Sequence, residues 1–175
     1  MEKFEKYHPI LTPHYTLDWL TAVNVIDIYN LRHNAENARL SARAVDTDVK
    51  QTADYVNRTM HAIMTNKALM WAILDRKTDK FLGTFCIWQF DENRTTATIK
   101  FEISPDQQNH GIMSEVLNRM VQFAFTELGL QTLLASTQPT NQAALTVLKN
   151  NGFQMSATTE KDTIKLKLTV SSREG

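Results

Sequence analysis

The chain is expected to fold as an α+β protein, an α/β/α layered structure around a mixed, mostly antiparallel central sheet. Three observations predict this. Two helix-like segments come first. Three strand-length runs then follow, separated only by turns, between Ala68 and Ser104. A strand–helix–strand crossover comes next, and such a crossover makes its two strands parallel within the sheet. The 175 residues suit one domain over 1–175, large enough to bury a real core.

Residues 17–31 read as a helix with weak periodicity, carried by Leu17, Leu20, Val23 and Ile28. Asp46 or Thr47 is suited to cap the next helix. That helix carries Val49, Ala53, Val56, Met60 and Ile63 on one apolar stripe. Ala68 to Leu74 and Phe81 to Phe90 are apolar and aromatic runs of strand length. The turn-like segment from Asp75 to Lys80 separates them. From Thr95 to Ser104 the pattern alternates. Ala97, Ile99, Phe101 and Ile103 take one face, and Thr96, Thr98, Lys100 and Glu102 the other.

The clearest helix follows, with Met113, Val116, Leu117, Met120, Val121, Ala124, Phe125 and Leu128 at helical spacing. Gly129 suits its C-terminal cap. Thr132 to Thr137 is a short strand, Asn141 to Asn150 a helix, and Ile164 to Val170 a strand with one wet face.

Composition narrows the function. The chain has 19 basic and 19 acidic residues, which argues against a protein that covers nucleic acid or an anionic membrane by bulk charge. No apolar stretch approaches the roughly 18 residues of a membrane span, and the N-terminus lacks the apolar core of a secretory signal. A cytoplasmic location is expected. The single cysteine, Cys86, lies in an apolar run and suits a buried structural thiol in a reducing compartment. No cluster has metal-ligand spacing, so no metal is expected. No Gly-Lys-Ser/Thr follows the loop described next, which argues against an NTP-binding loop.

The segment from Ser104 to Glu115 joins a strand to the strongest helix. Unpaired amides at a helix N-terminus, with the helix dipole behind them, attract phosphate. Gly111 permits a close backbone approach or a positive φ, and Ser114 adds a hydroxyl in the first turn. Alone, one glycine before a helix is more often an ordinary turn.

Two motifs make the signal specific. Gln108-x-x-Gly111-x-Met113-Ser114-Glu115 resembles the acyl-CoA loop of the GCN5-related N-acetyltransferase (GNAT) superfamily, particularly its RimJ/RimL-type branch. The block from Asn141 to Phe153 resembles that branch's N-x-x-S-x-x-V-L-x-x-x-G-F. Asn109, Met113 and Ala144 depart from the usual residues without removing backbone donors. The element order agrees over nearly the whole chain, weakly over the first 45 residues.

The resemblance implies acetyl-CoA as cosubstrate, without a metal. It implies a V-shaped splay between the fourth and fifth strands of that fold, the strand ending at Ser104 and the strand Thr132 to Thr137. The pantetheine arm would enter there, pairing with backbone groups such as those of Glu102 and Ile103. The N–H near Ile103 would polarise the thioester carbonyl. Gln108, Asn109, His110, Gly111, Ile112, Met113, Ser114 and Asn141 are the remaining expected cofactor contacts. His110 is equally suited to face solvent, and Asn141 to act as a plain helix cap. His33 and His61 read as ordinary residues of the N-terminal helical region.

Glu102, on the polar face of the strand entering the loop, is the candidate general base. Its alternative is a strand carboxylate paired with Lys100 or another cation. The tyrosine that many relatives use to protonate the leaving thiolate is replaced by Leu148. The resembling branch acetylates protein N-termini, ribosomal ones among them, and small-molecule amines. A homodimer is left open. The competing reading is an acyl-CoA-binding module that has lost catalysis.

Overall fold

A computed structural model describes residues 3–108, 110–156 and 162–171. Among these, eight strands form one sheet in the order β1-β2-β3-β4-β5-β6-β8-β7. The strands are β1 (Ile10–Leu11), β2 (Tyr15–Asp18), β3 (Leu69–Asp75), β4 (Phe81–Trp88), β5 (Thr96–Ile103), β6 (Thr132–Thr137), β7 (Gln154–Met155) and β8 (Ile164–Thr169). Every neighbouring pair is antiparallel except β5 and β6. The expected mixed sheet and its parallel crossover are therefore present. So are the three meandering strands and the final strand.

The N-terminal expectation needs correction. Residues 17–31 are not one helix. Leu17 belongs to β2, where it is fully buried and pairs with Ile73. A 3-10 turn at Leu20–Ala22 buries Leu20. Only then does α1 (Val25–His33) begin, because the Asn24 side chain accepts from the Ile26 N–H and caps it there. Apolar residues three apart satisfied a helical pattern, while strand pairing with β3 decided the structure.

α2 (Ala35–Leu40) follows directly. α3 (Val49–Met64) is capped by Asp48, which accepts from the Gln51 N–H at 2.9 Å. Neither Asp46 nor Thr47 caps it. Asp46 instead receives Arg32 Nε at 2.8 Å and the Thr52 hydroxyl at 2.7 Å.

β3 and β4 are buried almost throughout. Register aligns Trp71, Phe85 and Phe101 across three strands, with ring centroids 6.4 and 6.2 Å apart. Phe123 of α4 (Ile112–Thr126) meets Trp71 edge-on at 5.6 Å, so α4 covers this face. The opposite face carries Met70, Cys86 and Lys100 in one register line. Glu115, in the first turn of α4, accepts from the His14 N–H at 2.9 Å and also binds the Thr12 hydroxyl and the His14 ring. It thereby ties the β1–β2 hairpin to the helix. α5 (Gln142–Asn150) starts at Asn141, whose side chain accepts from the Ala144 N–H at 3.2 Å. No helix among the described residues is long and apolar enough to cross a membrane.

β5 and β6 part before they end. Their last paired residues are Ile99 and Ala135, although β5 continues to Ile103 and β6 to Thr137. This is the expected splay. The two short N-terminal strands make these the fifth and sixth strands in chain order.

On its other edge, β5 is held close to β4. A Cβ built on Gly83 would lie 2.1 Å from the Glu102 carbonyl oxygen. Gly83→Ala must push the two strands apart, and overpacking of this kind costs about 1–3 kcal/mol. Urea unfolding should show a lower midpoint for the variant. An unchanged midpoint would mean that the strands yield freely here.

Candidate active site

The phase of the β4–β5 ladder determines which backbone groups face the gap. The Ser104 N–H donates to the Leu82 carbonyl at 2.8 Å. Thr84–Glu102 and Cys86–Lys100 are pairs of the same phase, so the backbone groups of Glu102 and Lys100 point to β4. Those of Phe101 and Ile103 point into the splay. The expectation that the Glu102 backbone is freed is thus replaced by Phe101, while Ile103 stands as expected. The Ile103 carbonyl accepts Asn37 Nδ2 at 3.0 Å, which leaves its N–H turned to the gap.

A cleft of about 520 Å³ opens at the splay, between α2, the loop after β5, and the starts of α4 and α5. Ile103, Gln108 and Gly111 line it, as do Ile112, Met113, Ser114 and Asn141. Gly111 is the N-cap of α4 in the left-handed region, φ +75°, with no side-chain cap on the helix. A Cβ there would meet nothing within 4 Å, so the position is demanded by backbone conformation and lies open on one side. The amides of Ile112, Met113 and Ser114 precede the first intrahelical bond, Glu115 N–H to the Gly111 carbonyl at 3.2 Å. His110 is exposed and outside the cleft wall. Asn109 lies outside the described residues.

A second cleft, of about 550 Å³, lies on the face of Met70, Cys86 and Lys100, under α1 and α3. The two clefts share a short wall that includes Ser41, Phe101, Glu102, Asn141 and Ala144. Glu102 stands on that wall, and its partner is Arg43 rather than Lys100. Arg43 Nη2 lies 2.7 Å from Oε1 and Nε 3.0 Å from Oε2, with both side chains about 15% exposed. Arg43 also donates to the carbonyls of Leu31, Arg32 and Ala44, so it anchors the end of α1 to β5. Each Glu102 oxygen keeps a further lone pair for a group in the cleft.

Cys86 is buried, and burial pushes its thiol up to about 12, which suits a structural role. Leu148, in the slot of the absent tyrosine, is buried at the wall of the second cleft. His33 Nδ1 pairs with the Asp46 carbonyl at 2.8 Å, and His61 is exposed; neither lines a cleft.

Sequence reasoning did not find Asn37, Arg43 or the pairing of Lys100 with Trp88, whose ring centroid lies 3.9 Å from Nζ. The first two sit in the weakly patterned N-terminal region and act across more than fifty residues. The third had a signal, since the alternation of β5 placed Lys100 on the face of Glu102.

The family model of the acetyltransferase (GNAT) domain matches residues 15–154. The chain belongs to the GNAT acetyltransferase family. Within it, this chain is 25% identical over 108 residues to the uncharacterized N-acetyltransferase p20 of Bacillus licheniformis, covering 62% of this chain and 61% of the relative. It is 26% identical over 106 residues to the uncharacterized N-acetyltransferase YoaA of Bacillus subtilis, covering 61% and 60%. The matched region thus spans about three fifths of those relatives' length. GNAT folds among solved structures superpose over nearly the whole chain. The spermidine N-acetyltransferase of Vibrio cholerae, solved with CoA and spermine, gives a TM-score of 0.81 at 17% identity, covering 93% of this chain and 99% of that one. RimL, a ribosomal L7/L12 α-N-protein acetyltransferase solved with coenzyme A, gives 0.80 at 16%, covering 94% and 99%.

Removing one member of a largely buried ion pair strands the other charge and costs about 3–5 kcal/mol, whereas replacing both by apolar groups costs far less. Arg43→Met should therefore destabilise the fold by about that amount. Arg43→Met combined with Glu102→Leu should recover part of the loss. Chemical denaturation of the single and double variants tests this. A double variant weaker than Arg43→Met alone would contradict it.

Proposed function

We propose that the chain is an acetyl-CoA-dependent N-acetyltransferase that moves an acetyl group to a primary amine by direct attack in a ternary complex. The observation that carries this reading is the meeting of two clefts at the splay. One has the donors for a pyrophosphate and the other has room for an amine. Acetyl-CoA would occupy the first. The Ile112–Ser114 amides and the α4 dipole suit its pyrophosphate, and Gln108 adds a polar contact at the loop. The pantetheine amides would add to the free edge of β5 at Phe101 and Ile103, as an extra strand does. Asn141 can cap α5 through its oxygen and offer its amide nitrogen to the pantetheine or a water.

The thioester carbonyl would then accept from the Ile103 N–H, which stabilises the oxygen as negative charge develops. The amine nitrogen attacks the carbonyl carbon, the C–S bond breaks, and coenzyme A leaves as thiolate. Glu102 is the proposed base. Its carboxylate lies on the shared wall and accepts the amine proton directly or through water. With Leu148 in place of a tyrosine, the thiolate takes its proton from water or from the proton that Glu102 has received. An amine acceptor, either a small molecule or a protein N-terminus, and a cytoplasmic setting complete the reading.

Two variants test it. Gly111→Val forces a β-branched residue into a left-handed conformation and should weaken coenzyme A binding at least tenfold, about 1.4 kcal/mol. Calorimetry showing unchanged affinity in a folded variant would overturn the loop assignment. Glu102→Gln should lower turnover by about 10²–10⁴-fold while leaving coenzyme A binding nearly intact, and the loss should shrink as pH rises and free amine accumulates. A variant that keeps more than half of the wild-type turnover at pH 7 places the base elsewhere.

A further inference from the structure

The second cleft has a charge pattern that bears on its occupant. Four charged side chains line it among the described residues: Arg32, Arg43, Lys100 and Glu102. Two of the three cations are already neutralised. Arg32 is paired with Asp46 at 2.8 Å and lies flat on Tyr55, its guanidinium carbon 3.6 Å from the ring centroid. Arg43 holds Glu102 through two bonds. Lys100 has no carboxylate partner among the described residues. Its Nζ rests 3.9 Å from the centre of the Trp88 ring, an arrangement that fixes an ammonium at the wall without cancelling its charge.

Position sharpens this. Lys100 and Glu102 share one face of β5, two positions apart, so their stems stand about 6–7 Å from each other. Across the splay, Ala135 is level with Ile99. Ser136 is therefore level with Lys100 and on its face, whereas Thr137 follows on the face of Phe101, away from Lys100 and Glu102. The remaining polar lining nearby, Thr84, Thr98, Ser136 and Gln138, is uncharged.

A polycationic amine would find no unpaired carboxylate among the described residues of this wall and would meet the Lys100 ammonium. An amine with an anionic group a few ångströms from its nitrogen would find a complementary arrangement. Its nitrogen would lie beside Glu102, and its anion beside Lys100. We propose that the acceptor is a primary amine bearing a carboxylate, and that Lys100 is the side chain that selects it. This rests on the second cleft being the acceptor site of the acetyl transfer proposed above. The carboxylate can come from a free amino acid or from an acidic residue next to a peptide N-terminus.

The test is a matched acceptor panel with acetyl-CoA. It contains α-, β- and γ-amino acids each beside its carboxamide, the dipeptides Ser-Asp and Ser-Asn, and spermidine. Carboxylates should exceed their neutral partners at least tenfold in kcat/KM, with spermidine the poorest, and the preference should fall as salt rises. The amino-acid and dipeptide arms identify the source of the carboxylate. Lys100→Met should abolish the preference, and Lys100→Glu should turn it towards spermidine. Both variants should bind coenzyme A like the wild type in calorimetry. Equal rates on carboxylate and carboxamide, preference for spermidine, or a preference that survives Lys100→Met would each overturn the assignment while leaving the acetyltransferase reading in place. No turnover on any amine would instead overturn the parent reading, and this one with it.

Discussion

The parting of β5 from β6 after Ile99 and Ala135 is the constraint on which the rest of the site depends. A parallel pair inside a sheet normally stays paired, since buried backbone groups without partners are costly. Here the backbone of Phe101 and Ile103 is left facing a gap. Asn37 satisfies the Ile103 carbonyl from outside the sheet. The other edge of β5 stays bound to β4 as far as Gly83 and Ile103. The strand is therefore held from one side only over its last residues, and its other side is free for a ligand to complete.

The N-terminal helices bury Ile28, Leu31, Val56 and Ile63 in the core and also brace the opening. Arg43 joins the end of α1 to Glu102 by five hydrogen bonds, two to the Glu102 carboxylate and three to the backbone carbonyls of Leu31, Arg32 and Ala44. Arg32 and Asp46 fasten α1 to the start of α3, with Thr52 closing the network. Burial alone would push the Asp46 carboxyl up, but the bonds from Arg32 and Thr52 hold it below the usual range. These polar bonds border the second cleft, which Arg32, Arg43 and Tyr55 line from the helical side.

Much of this fold was legible in the sequence. The apolar stripes of α3 and α4 and the alternation of β5 are strong periodic signals, and each element falls within a residue or two of its expected bounds. The segment from Gln108 to Ser114 was legible as a strand-to-helix junction, where Gly111 adopts a positive φ; only its resemblance to the GNAT motif marked it as a cofactor loop. The first forty-five residues were not legible in the same way. Leu17 and Leu20 are equally buried in a strand and in a 3-10 turn, so their spacing could not distinguish either from a helix. The partner of Glu102 was hidden too. Ion pairs between residues 59 positions apart leave no periodic trace, and several basic residues were eligible.

The two clefts meet along a shared wall that carries Leu40, Ser41, Phe101, Glu102, Asn141 and Ala144. With acetyl-CoA and an amine in the two clefts as proposed, neither occupant would have to leave for the other to enter, and no covalent enzyme intermediate would be needed to carry the acyl group between them. A molecule with an amine joined to the sulfur of coenzyme A would lie across that wall. Once one half is seated, the other binds as an intramolecular event at an effective concentration set by the length of the tether. The geometry of the shared wall thus fixes the length at which a bisubstrate ligand gains most, a span a chemist can vary one methylene at a time.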